Sequence, residues 1–515
     1  MQLAELVETS RALAATRSRK AKTVALADAL RKAEPHEVET ATAYLSGVLR
    51  QRRTGLGWRS LTDLPAPAEE STLSVAEVHD LFDRISAVAG AGSRHVRTEL
   101  VEELFGRATA EEQDYLRRLA TGELRQGALD GVMLEAIAAA SGCPAPAVRR
   151  ASMLAGATLP VAVAALTGGE QALAAFGLEV GRPVRPMLAS SAPDLTAALE
   201  KLGPGALLAV DGKLDGIRVQ VHKYDGQVRV FTRTLDDITD RLPEVVDAVT
   251  GLPARAVVLD GEAIALEPSG RPRPFQETAA RTASRTDLDT LRRQVPLTSY
   301  FFDLLHLDGE DLLDRPARAR FDALAGALPG ELVVPRRVTA DPDEAADFFD
   351  ELIRLGHEGV VVKSLDATYE AGRRGASWVK VKPRHTLDLV VLAVEWGSGR
   401  RAGKLSNIHL GARDEDGGFA MLGKTFKGMT DEMLEWQTER FLELETSRTS
   451  YVVHLRPEQV VEVAFDGIQT SSRYPGGMAL RFARVLRYRD DKTAAEADTL
   501  DTVRALHRRE DDTTV

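Results

Sequence analysis

A single lysine in the stretch DGKLDGIR, which runs from Asp211 to Arg218, has the neighbours expected of a reactive amine. Lys213 is followed closely by Asp215 and Gly216. A lysine amine can act as a nucleophile, but its ordinary pKa of about 10.4 leaves roughly one molecule in a few thousand neutral at pH 7. A metal ion, cationic neighbours or loss of water must therefore free its lone pair. If Lys213 is a nucleophile, the rest of the sequence should contain such groups.

Two carboxylates occur within segments whose apolar residues are typical of strands. Glu262 lies in LDGEA and Glu358 lies in EGVVVK. A carboxylate at a strand end is often a solvated rim residue, and the pattern alone leaves that interpretation open. Carboxylate oxygens are also the ligands that Mg²⁺ prefers. Both residues are therefore candidate metal ligands.

A group of cations follows at close spacing and consists of Lys363, Arg374, Lys380 and Lys382. In the segment WVKVK, the alternation of a strand places Lys380 and Lys382 on the same face. Desolvated cations on that face can bind phosphate groups and lower the pKa of a neighbouring lysine amine. A solvent-exposed strand face would show the same alternation, so the pattern by itself does not decide between the two.

The elements that must position these residues fall into regions of different composition. Up to about residue 180, apolar residues recur at three- and four-residue spacing, which predicts helices, one of them beginning after Ser74. From about residue 183, short β-rich runs with an Asp225-Gly226 turn predict an α+β fold with antiparallel hairpins. After roughly residue 385, about five strands and one helix capped by Thr430 predict a small barrel of the OB type.

The predicted fold class is therefore multidomain, α and α+β. An all-helical domain over residues 1–182 precedes an α+β domain over residues 183–384, a barrel domain over residues 385–505 and a charged C-terminal tail over residues 506–515. A chain of 515 residues is longer than one ordinary hydrophobic core supports, which agrees with this division.

The composition indicates a globular protein, with 44% hydrophobic and 28% charged residues and no apolar stretch long enough to span a bilayer. The opening segment lacks the apolar region of a signal peptide, and the single cysteine, Cys143, excludes an intramolecular disulfide and a four-cysteine zinc site. We therefore expect a cytoplasmic protein with no membrane partner. The net charge of −11 argues only weakly against a nucleic-acid partner, because basic residues cluster locally, as they do over residues 481–492.

Residues 418–425, GFAMLGKT, match the pattern of a phosphate-binding loop. Their context does not fit such a loop. They follow a DEDG turn rather than a strand, their middle residues are bulky, and KGM rather than a helical pattern comes next. We therefore expect a strand of the barrel at this position.

The motifs KLDGIR, FTR, LDGEA, FFDLL, EGVVVK, WVKVK and RFARVLRYRDDK occur in this order between about residues 183 and 492. Their order and spacing resemble the signature set of ATP-dependent DNA ligases, which belong with RNA ligases and mRNA capping enzymes to the covalent nucleotidyltransferases. Upstream, YLRRLATGELRQGA resembles a segment of the helical DNA-binding domain of cellular ligases. The resemblance covers most of the chain and implies an all-α DNA-binding domain, an α+β adenylation (nucleotidyltransferase) domain and an OB-fold domain.

The resemblance also implies a role for each candidate residue. Lys213 would carry AMP through a phosphoramidate, Glu262 would contact the ribose or the metal ion, and Glu358 would bind the catalytic metal ion. Phe302, which by its apolar surroundings alone would be assigned to the core, would stack on the adenine. The implied nucleotide contacts are Asp211, Arg218, Arg233, Glu262, Phe302, Lys363, Arg374, Lys380, Lys382 and Arg487.

Two features of the resemblance leave a residue's role open. Asp211 stands where these ligases usually carry glutamate, and its side chain is one methylene shorter. In the late segment RFARVLRYRDDK, Arg487 and Lys492 would orient the pyrophosphate leaving group. A DNA-backbone patch is an alternative role for the same segment, and both roles are compatible if the domain swings between steps.

ATP would then be the cosubstrate, Mg²⁺ the metal ion with Mn²⁺ able to substitute, and nicked double-stranded DNA the partner of a monomeric, cytoplasmic, nucleoid-associated enzyme. An RNA ligase and a GTP-using capping enzyme are alternatives that the long helical domain disfavours. NAD is disfavoured as the donor because the bacterial NAD-dependent ligases carry a four-cysteine zinc finger. An inactive nick-binding scaffold is a further alternative, and the intact set of acids and cations argues against it.

Overall fold

The structure, a computed structural model, describes residues 1–51, 53–128, 130–284, 288–371, 374–383 and 385–512. Within these ranges, the side chains of residues 289, 374–376, 400 and 508–512 are not described. Short 3₁₀ helices occur at Trp58–Leu61, Thr239–Arg241, Gly330–Leu332, Gly399–Arg401 and Ala494–Glu496.

The first region is helical, as the periodicity predicts. Its helices pack around a continuous core of leucine, valine and alanine side chains from residues 3 to 173. The predicted start after Ser74 is confirmed, because the Ser74 side chain accepts from the amide of Glu77 while the Glu77 carboxylate accepts from the amide of Ser74, a reciprocal cap that satisfies free amides of the first turn. The helices are α1 (Leu3–Ala15), α2 (Arg19–Lys32), α3 (Val38–Leu45), α4 (Val75–Ala87), α5 (Ser93–Gly106), α6 (Ala110–Ala120), α7 (Asp130–Ser141), α8 (Ala145–Ala155) and α9 (Leu159–Ala174).

The middle region contains two sheets with helices packed on them, which confirms the α+β prediction. One sheet has the strand order β1-β10-β9-β2-β8 and the other has the order β4-β3-β5-β6-β7. The predicted hairpin joins β3 to β4, with Asp225 and Gly226 both at positive φ as that tight turn requires. The strands are β1 (Leu188–Ser191), β2 (Leu208–Lys213), β3 (Ile217–Tyr224), β4 (Gln227–Thr232), β5 (Val257–Ala265), β6 (Leu297–Leu307), β7 (Glu310–Asp311), β8 (Arg336–Thr339), β9 (Gly359–Ser364) and β10 (Arg374–Val381). The helices are α10 (Leu195–Leu202), α11 (Pro243–Thr250), α12 (Phe275–Ala283), α13 (Leu288–Gln294), α14 (Ala317–Ala327) and α15 (Pro342–Arg354).

The last region is built from antiparallel strands around a separate apolar core. The helix predicted after Thr430 is confirmed as α16, because the Thr430 side chain accepts from the amide of Met433. Its elements are β11 (His385–Trp396), β12 (Leu405–Arg413), β13 (Phe419–Thr425), α16 (Asp431–Glu443), β14 (Glu445–Arg448), β15 (Val452–Leu455), β16 (Val460–Phe465), β17 (Gly467–Thr470), β18 (Met478–Arg481), β19 (Arg484–Tyr488) and α17 (Leu500–Asp512).

Two expectations for this region can be compared with the structure directly. The GFAMLGKT segment forms β13, which pairs with β12 from Arg413↔Phe419 to Ile408↔Thr425, so the barrel-strand prediction is confirmed. Helix α17 continues through residue 505, where the charged tail was expected to begin, and buries Val503 against the barrel. Within the described residues, no helix combines the length and the apolar character needed to cross a bilayer.

Candidate active site

The two sheets of the middle region enclose a cavity of about 580 Å³. It is lined by Leu188, Ala189, Asp211, Gly212, Lys213, Leu214, Gly216, Ile217, Arg218, Thr232, Arg233, Thr234, Glu262, Phe275, Phe302, Val334, Val361, Lys363, Trp378 and Lys380. Most of the residues that the sequence singled out therefore share one cavity, although they come from strands that are distant along the chain.

Lys213 is the last residue of β2, and its side chain is about 20% exposed. Strands β2 and β9 pair with Lys213 opposite Gly359, so Glu358 lies beside the lysine, and its amide donates to the Lys213 carbonyl at 2.9 Å. The Lys213 ammonium contacts the Glu358 carboxylate directly and also donates to the Leu214 carbonyl at 3.3 Å. The strand register therefore brings the candidate nucleophile and a candidate metal ligand into contact.

The Glu358 carboxylate is shared between two cations, because the Lys382 ammonium contacts it as well. Burial by itself would raise the pKa of Glu358, but the positive charges of Lys213 and Lys382 outweigh burial and lower it. Glu358 is therefore held as a carboxylate. Lys382 also lies 3.1 Å from Asp466 of the last region.

Glu262 lies on β5 across the cavity, where its carboxylate accepts from the amide of Gly216 at 3.0 Å. Burial raises the pKa of Glu262 to about 7, despite the nearby charge of Lys213. Gly216 must be glycine here, because a Cβ at this position would lie 2.5 Å from the Ala263 carbonyl oxygen. The glycine of KLDG thus lets the chain beside the lysine approach β5 closely.

Asp211 lies beneath the cavity, is only 1% exposed, and pairs with two cations. Its carboxylate accepts from Arg336 at 2.5 and 2.7 Å, and the Lys363 ammonium lies 2.6 Å from it. Burial would raise the pKa of Asp211, but Arg336 and Lys363 outweigh burial and lower it. Lys363 is buried as well, with its Nζ 4.6 Å from the Phe302 ring centre and 4.2 Å from that of Trp378. Lys363 therefore belongs to the floor of the cavity rather than to an exposed cationic rim.

Phe302 lines the cavity, whereas its neighbour Phe301 is buried in the core, as the alternation of β6 requires. The Phe302 ring meets Trp378 edge to face at 5.8 Å between ring centres. Arg218 is directed at the same ring from 5.4 Å and pairs with the buried Asp260 at 2.6 and 3.0 Å. Burial opposes the charge on Arg218, but Asp260 raises its pKa above the usual range.

Of the remaining predicted residues, some line the cavity and one does not. Arg233 and Lys380 both line the cavity. The Arg374 side chain lies outside the described residues, although its backbone begins β10. Arg487 is not among the cavity-lining residues; it lies on β19, is 63% exposed and pairs with Glu462 at 2.7 Å.

Sequence reasoning missed several residues that contact this site. Arg481 of β18 lies 3.1 Å from Asp215, and Asp466 contacts Lys382. Arg481 had a signal, because it belongs to the late basic segment. Arg336, in the unremarked segment VVPRRV, had none, since its contact with Asp211 arises only from the pairing of β2 with β8.

Comparisons with known proteins cover all three regions. Residues 60–138 match the sequence family described as DNA ligase N terminus, residues 186–382 match the ATP dependent DNA ligase domain, and residues 401–492 match the ATP dependent DNA ligase C terminal region.

A protein from Nocardioides sp., named "Probable DNA ligase", is 66% identical over 510 residues, which cover 98% of each chain. A protein of the same name from Beutenbergia cavernae is 65% identical over 512 residues, covering 98% of this chain and 99% of the relative. A solved structure described as Pmar-Lig_PreS3 covers 94% of this chain and 99% of its own at a TM-score of 0.59, and at 19% identity it shows a shared fold alone. The sequence matches span the helical, adenylation and barrel regions together, and the chain belongs to the ATP-dependent DNA ligase family.

Proposed function

We propose that this chain seals nicks in duplex DNA by way of an AMP group carried on Lys213. In the first step, the Lys213 nitrogen attacks the α-phosphorus of ATP, a P–N bond forms, and pyrophosphate leaves. In the second step, an oxygen of the 5′-phosphate at the nick attacks that phosphorus and displaces the lysine. In the third step, the 3′-hydroxyl oxygen attacks the 5′-phosphate, and AMP leaves.

The observation that carries this proposal is the position of Lys213 in the cavity. Its amine, at the end of β2, faces the carboxylates of Glu358 and Glu262, and the Phe302 ring forms another part of the wall. The ammonium must lose a proton before its lone pair can attack, and the Glu358 carboxylate is in direct contact with it. An amine, acids and an aromatic surface around one cavity suit a purine nucleoside triphosphate.

The carboxylates also fit a magnesium ion that arrives with its substrate. In the part of the chain that the structure describes, no group of three or more histidine, cysteine or acidic side chains is placed to hold a metal by itself. Mg²⁺ is typically held by one or two carboxylates together with substrate phosphates. We therefore propose Glu262 and Glu358 as its protein ligands, with Mn²⁺ able to substitute. When bound, the ion would neutralise charge on the phosphates.

The cations are proposed to bind the nucleotide from several sides. Lys380, Lys382 and Arg233 lie at or beside the cavity and would contact the phosphates or ribose. Arg218 is proposed to face the nucleotide through its contact with the Phe302 ring. Arg487 is proposed to reach the pyrophosphate after the barrel region moves, because no residue of β19 is among those that line the cavity.

Nicked DNA is proposed to lie across the helical and barrel regions. The helical region has a cleft of about 520 Å³. Its lining includes Arg53 and the glycines Gly47, Gly55 and Gly122, which are at positive φ. An arginine beside such a cleft suits phosphate groups, and contacts with phosphates would make binding independent of sequence and sensitive to salt. We expect the enzyme to act as a monomer in the cytoplasm near the nucleoid.

The test uses ATP labelled at the α-phosphate, Mg²⁺ and a nicked duplex. We expect a labelled covalent adenylate on the unsubstituted chain, none on Lys213→Ala, and sealed DNA after the nick is added. Absence of the adenylate would contradict the proposal. Adenylation followed by sealing of nicked RNA but not of DNA would instead favour an RNA ligase.

A further inference from the structure

Arg336 joins two parts of the cavity wall that are far apart in the sequence. It is the first residue of β8, at the edge of its sheet, and it lies opposite Asp211 of β2 in the strand register. Its Nε donates to Asp211 Oδ1 at 2.5 Å and its Nη2 donates to Asp211 Oδ2 at 2.7 Å. The same Nη2 donates to the backbone carbonyl of Phe302 at 2.8 Å.

The guanidinium is itself held in place by packing. Its central carbon lies 3.5 Å from the centre of the Phe321 ring, and Phe321 is buried. A planar guanidinium can stack on a ring and still donate two parallel hydrogen bonds to a carboxylate, which an ammonium cannot do. The contacts of Arg336 therefore depend on its shape as well as on its charge.

Lys363 also forms an ion pair with the Asp211 carboxylate, but it does not connect Asp211 to the Phe302 backbone as Arg336 does. Its Nζ lies 2.6 Å from Asp211 Oδ2, between the rings of Phe302 and Trp378. If Arg336 were replaced by a neutral residue, Lys363 would still neutralise Asp211. The hydrogen bond from Arg336 to the Phe302 carbonyl would be lost. Arg336 would then no longer link β2 to β6, the strand that carries Phe302.

The short side chain of Asp211 suits this arrangement. Its carboxylate stays close to β2, where the Nε and Nη2 donors of the Arg336 guanidinium reach it from the adjacent strand. A glutamate would place the carboxylate one methylene further from the backbone and displace it from the two guanidinium donors. Asp211 and Arg336 thus form a matched pair beneath the cavity.

We propose that Arg336 is a positioning residue of the nucleotide cavity, which fixes Asp211 and the Phe302 backbone in one arrangement and thereby sets the affinity for ATP. This inference rests on the proposed use of the cavity for ATP. Arg336 contacts the wall of the cavity rather than Lys213 or its carboxylates. Its removal therefore affects the binding of ATP and leaves the chemistry of DNA sealing intact.

The experiment compares two reactions of the full chain. Self-adenylation with ATP labelled at the α-phosphate yields a KM for ATP and a maximal rate, whereas sealing of a nick that already carries a 5′-adenylate needs no ATP. For Arg336→Gln we expect the KM for ATP to rise roughly tenfold or more, with the maximal rate and the sealing rate each within about threefold of the unsubstituted chain. Arg336→Lys should show the same rise in the KM for ATP, because lysine keeps the charge but cannot donate two parallel hydrogen bonds to the carboxylate.

Arg337→Gln is the matched control. Arg337 is the next residue of β8, is exposed, and lies over Phe348 at 5.1 Å on the outside of the sheet. The Arg337→Gln variant should have the same KM for ATP as the unsubstituted chain. If Arg336→Gln does not fold, Arg336→Lys, which keeps the positive charge beside Asp211, is measured in its place with the same expected rise in KM.

Three results would overturn the inference. They are an unchanged KM for ATP in Arg336→Gln, full rescue by Arg336→Lys, and an equal loss in the sealing of pre-adenylated DNA, which would indicate a general structural role. A failure of the unsubstituted chain to form the adenylate would overturn the proposed function as well. A normal unsubstituted chain with any of the three results would overturn this inference alone.

Discussion

At the scale of single residues, the site contains two carboxylates with opposite properties. Glu358 contacts Lys213 and Lys382, which lower its pKa, whereas burial raises the pKa of Glu262 to about 7. Both could ligate a metal ion, but only Glu358 is already neutralised by neighbouring cations. Glu262 therefore depends more strongly on an arriving ion to hold its charge.

The raised pKa of Glu262 predicts a pH-dependent stability in the absence of ATP and metal. Since the folded state binds the proton more tightly, its stability should fall as pH rises from the ordinary glutamate pKa, about 4.5, towards about 7. Glu262→Gln cannot ionise, so its Tm relative to the unsubstituted chain should be higher at pH 8 than at pH 5. Thermal unfolding at both pH values measures this, and an equal difference at the two would contradict it.

At the scale of elements, the β17–β18 hairpin is where the barrel region meets the site. Arg481 at the end of β18 lies 3.1 Å from Asp215, and Gln469 of β17 accepts from Gln276 at 3.3 Å. Next to the hairpin, Asp466 lies 3.1 Å from Lys382. These polar, partly exposed contacts are weak enough to break, which would allow the barrel region to change position between the proposed steps.

Loss of the Arg481 contact should therefore affect one step more than another. Arg481→Ala is expected to slow nick sealing by up to about fivefold, because the partly exposed ion pair that holds the barrel region against the site in this arrangement contributes up to about 1 kcal/mol. Self-adenylation should change by less than about twofold, since its proposed ligands lie in the middle region except for Arg487, which is proposed to reach the pyrophosphate from a different arrangement of the barrel region. Single-turnover assays of both steps measure this, with Arg484→Ala on the exposed face of β19 as the control. An equal loss in both steps would contradict it.

At the scale of the whole molecule, the helical region forms part of the support of the nucleotide cavity. Met153 and Leu154 of α8 pack with Met187, Tyr369 and Trp378 in one buried cluster behind the cavity. The Met153 sulfur accepts from the amide of Ala371 at 3.2 Å. On the surface nearby, Arg150 pairs with Asp314 through two bonds of 2.7 Å. The helical and middle regions are therefore joined by a shared core.

Truncation of Met153 should destabilise the adenylation region although the residue belongs to a helix of the first region. Met153→Ala leaves a cavity in a buried cluster, which typically costs about 2–5 kcal/mol. Met153→Leu conserves most of the volume and should cost less than about 1.5 kcal/mol. Thermal unfolding followed by the near-ultraviolet signal of the aromatic side chains, which include Trp378, measures both. Equal Tm values for Met153→Ala and the unsubstituted chain would contradict the shared core.

The helices, hairpins and caps were predictable because they depend on local patterns. The reciprocal Ser74–Glu77 cap, the Asp225-Gly226 turn and the Thr430 cap each need only neighbouring residues. The GFAMLGKT segment was recognisable as a strand from its bulky residues and flanking turn. The end of the barrel region was less predictable, since helix α17 is polar overall and forms by packing a few apolar residues, such as Val503, on the strands.

The sequence by itself determined which residue is the candidate nucleophile, which residues surround it and which family the chain resembles, because reactive groups occur in short motifs whose order can be read along the chain. Only the tertiary structure decided what each group contacts. It placed Lys363 in the floor of the cavity, brought Arg481 to Asp215, and brought Arg336, which lies in no motif, to Asp211. These contacts arise from strand register and domain packing between distant segments, which no local pattern encodes.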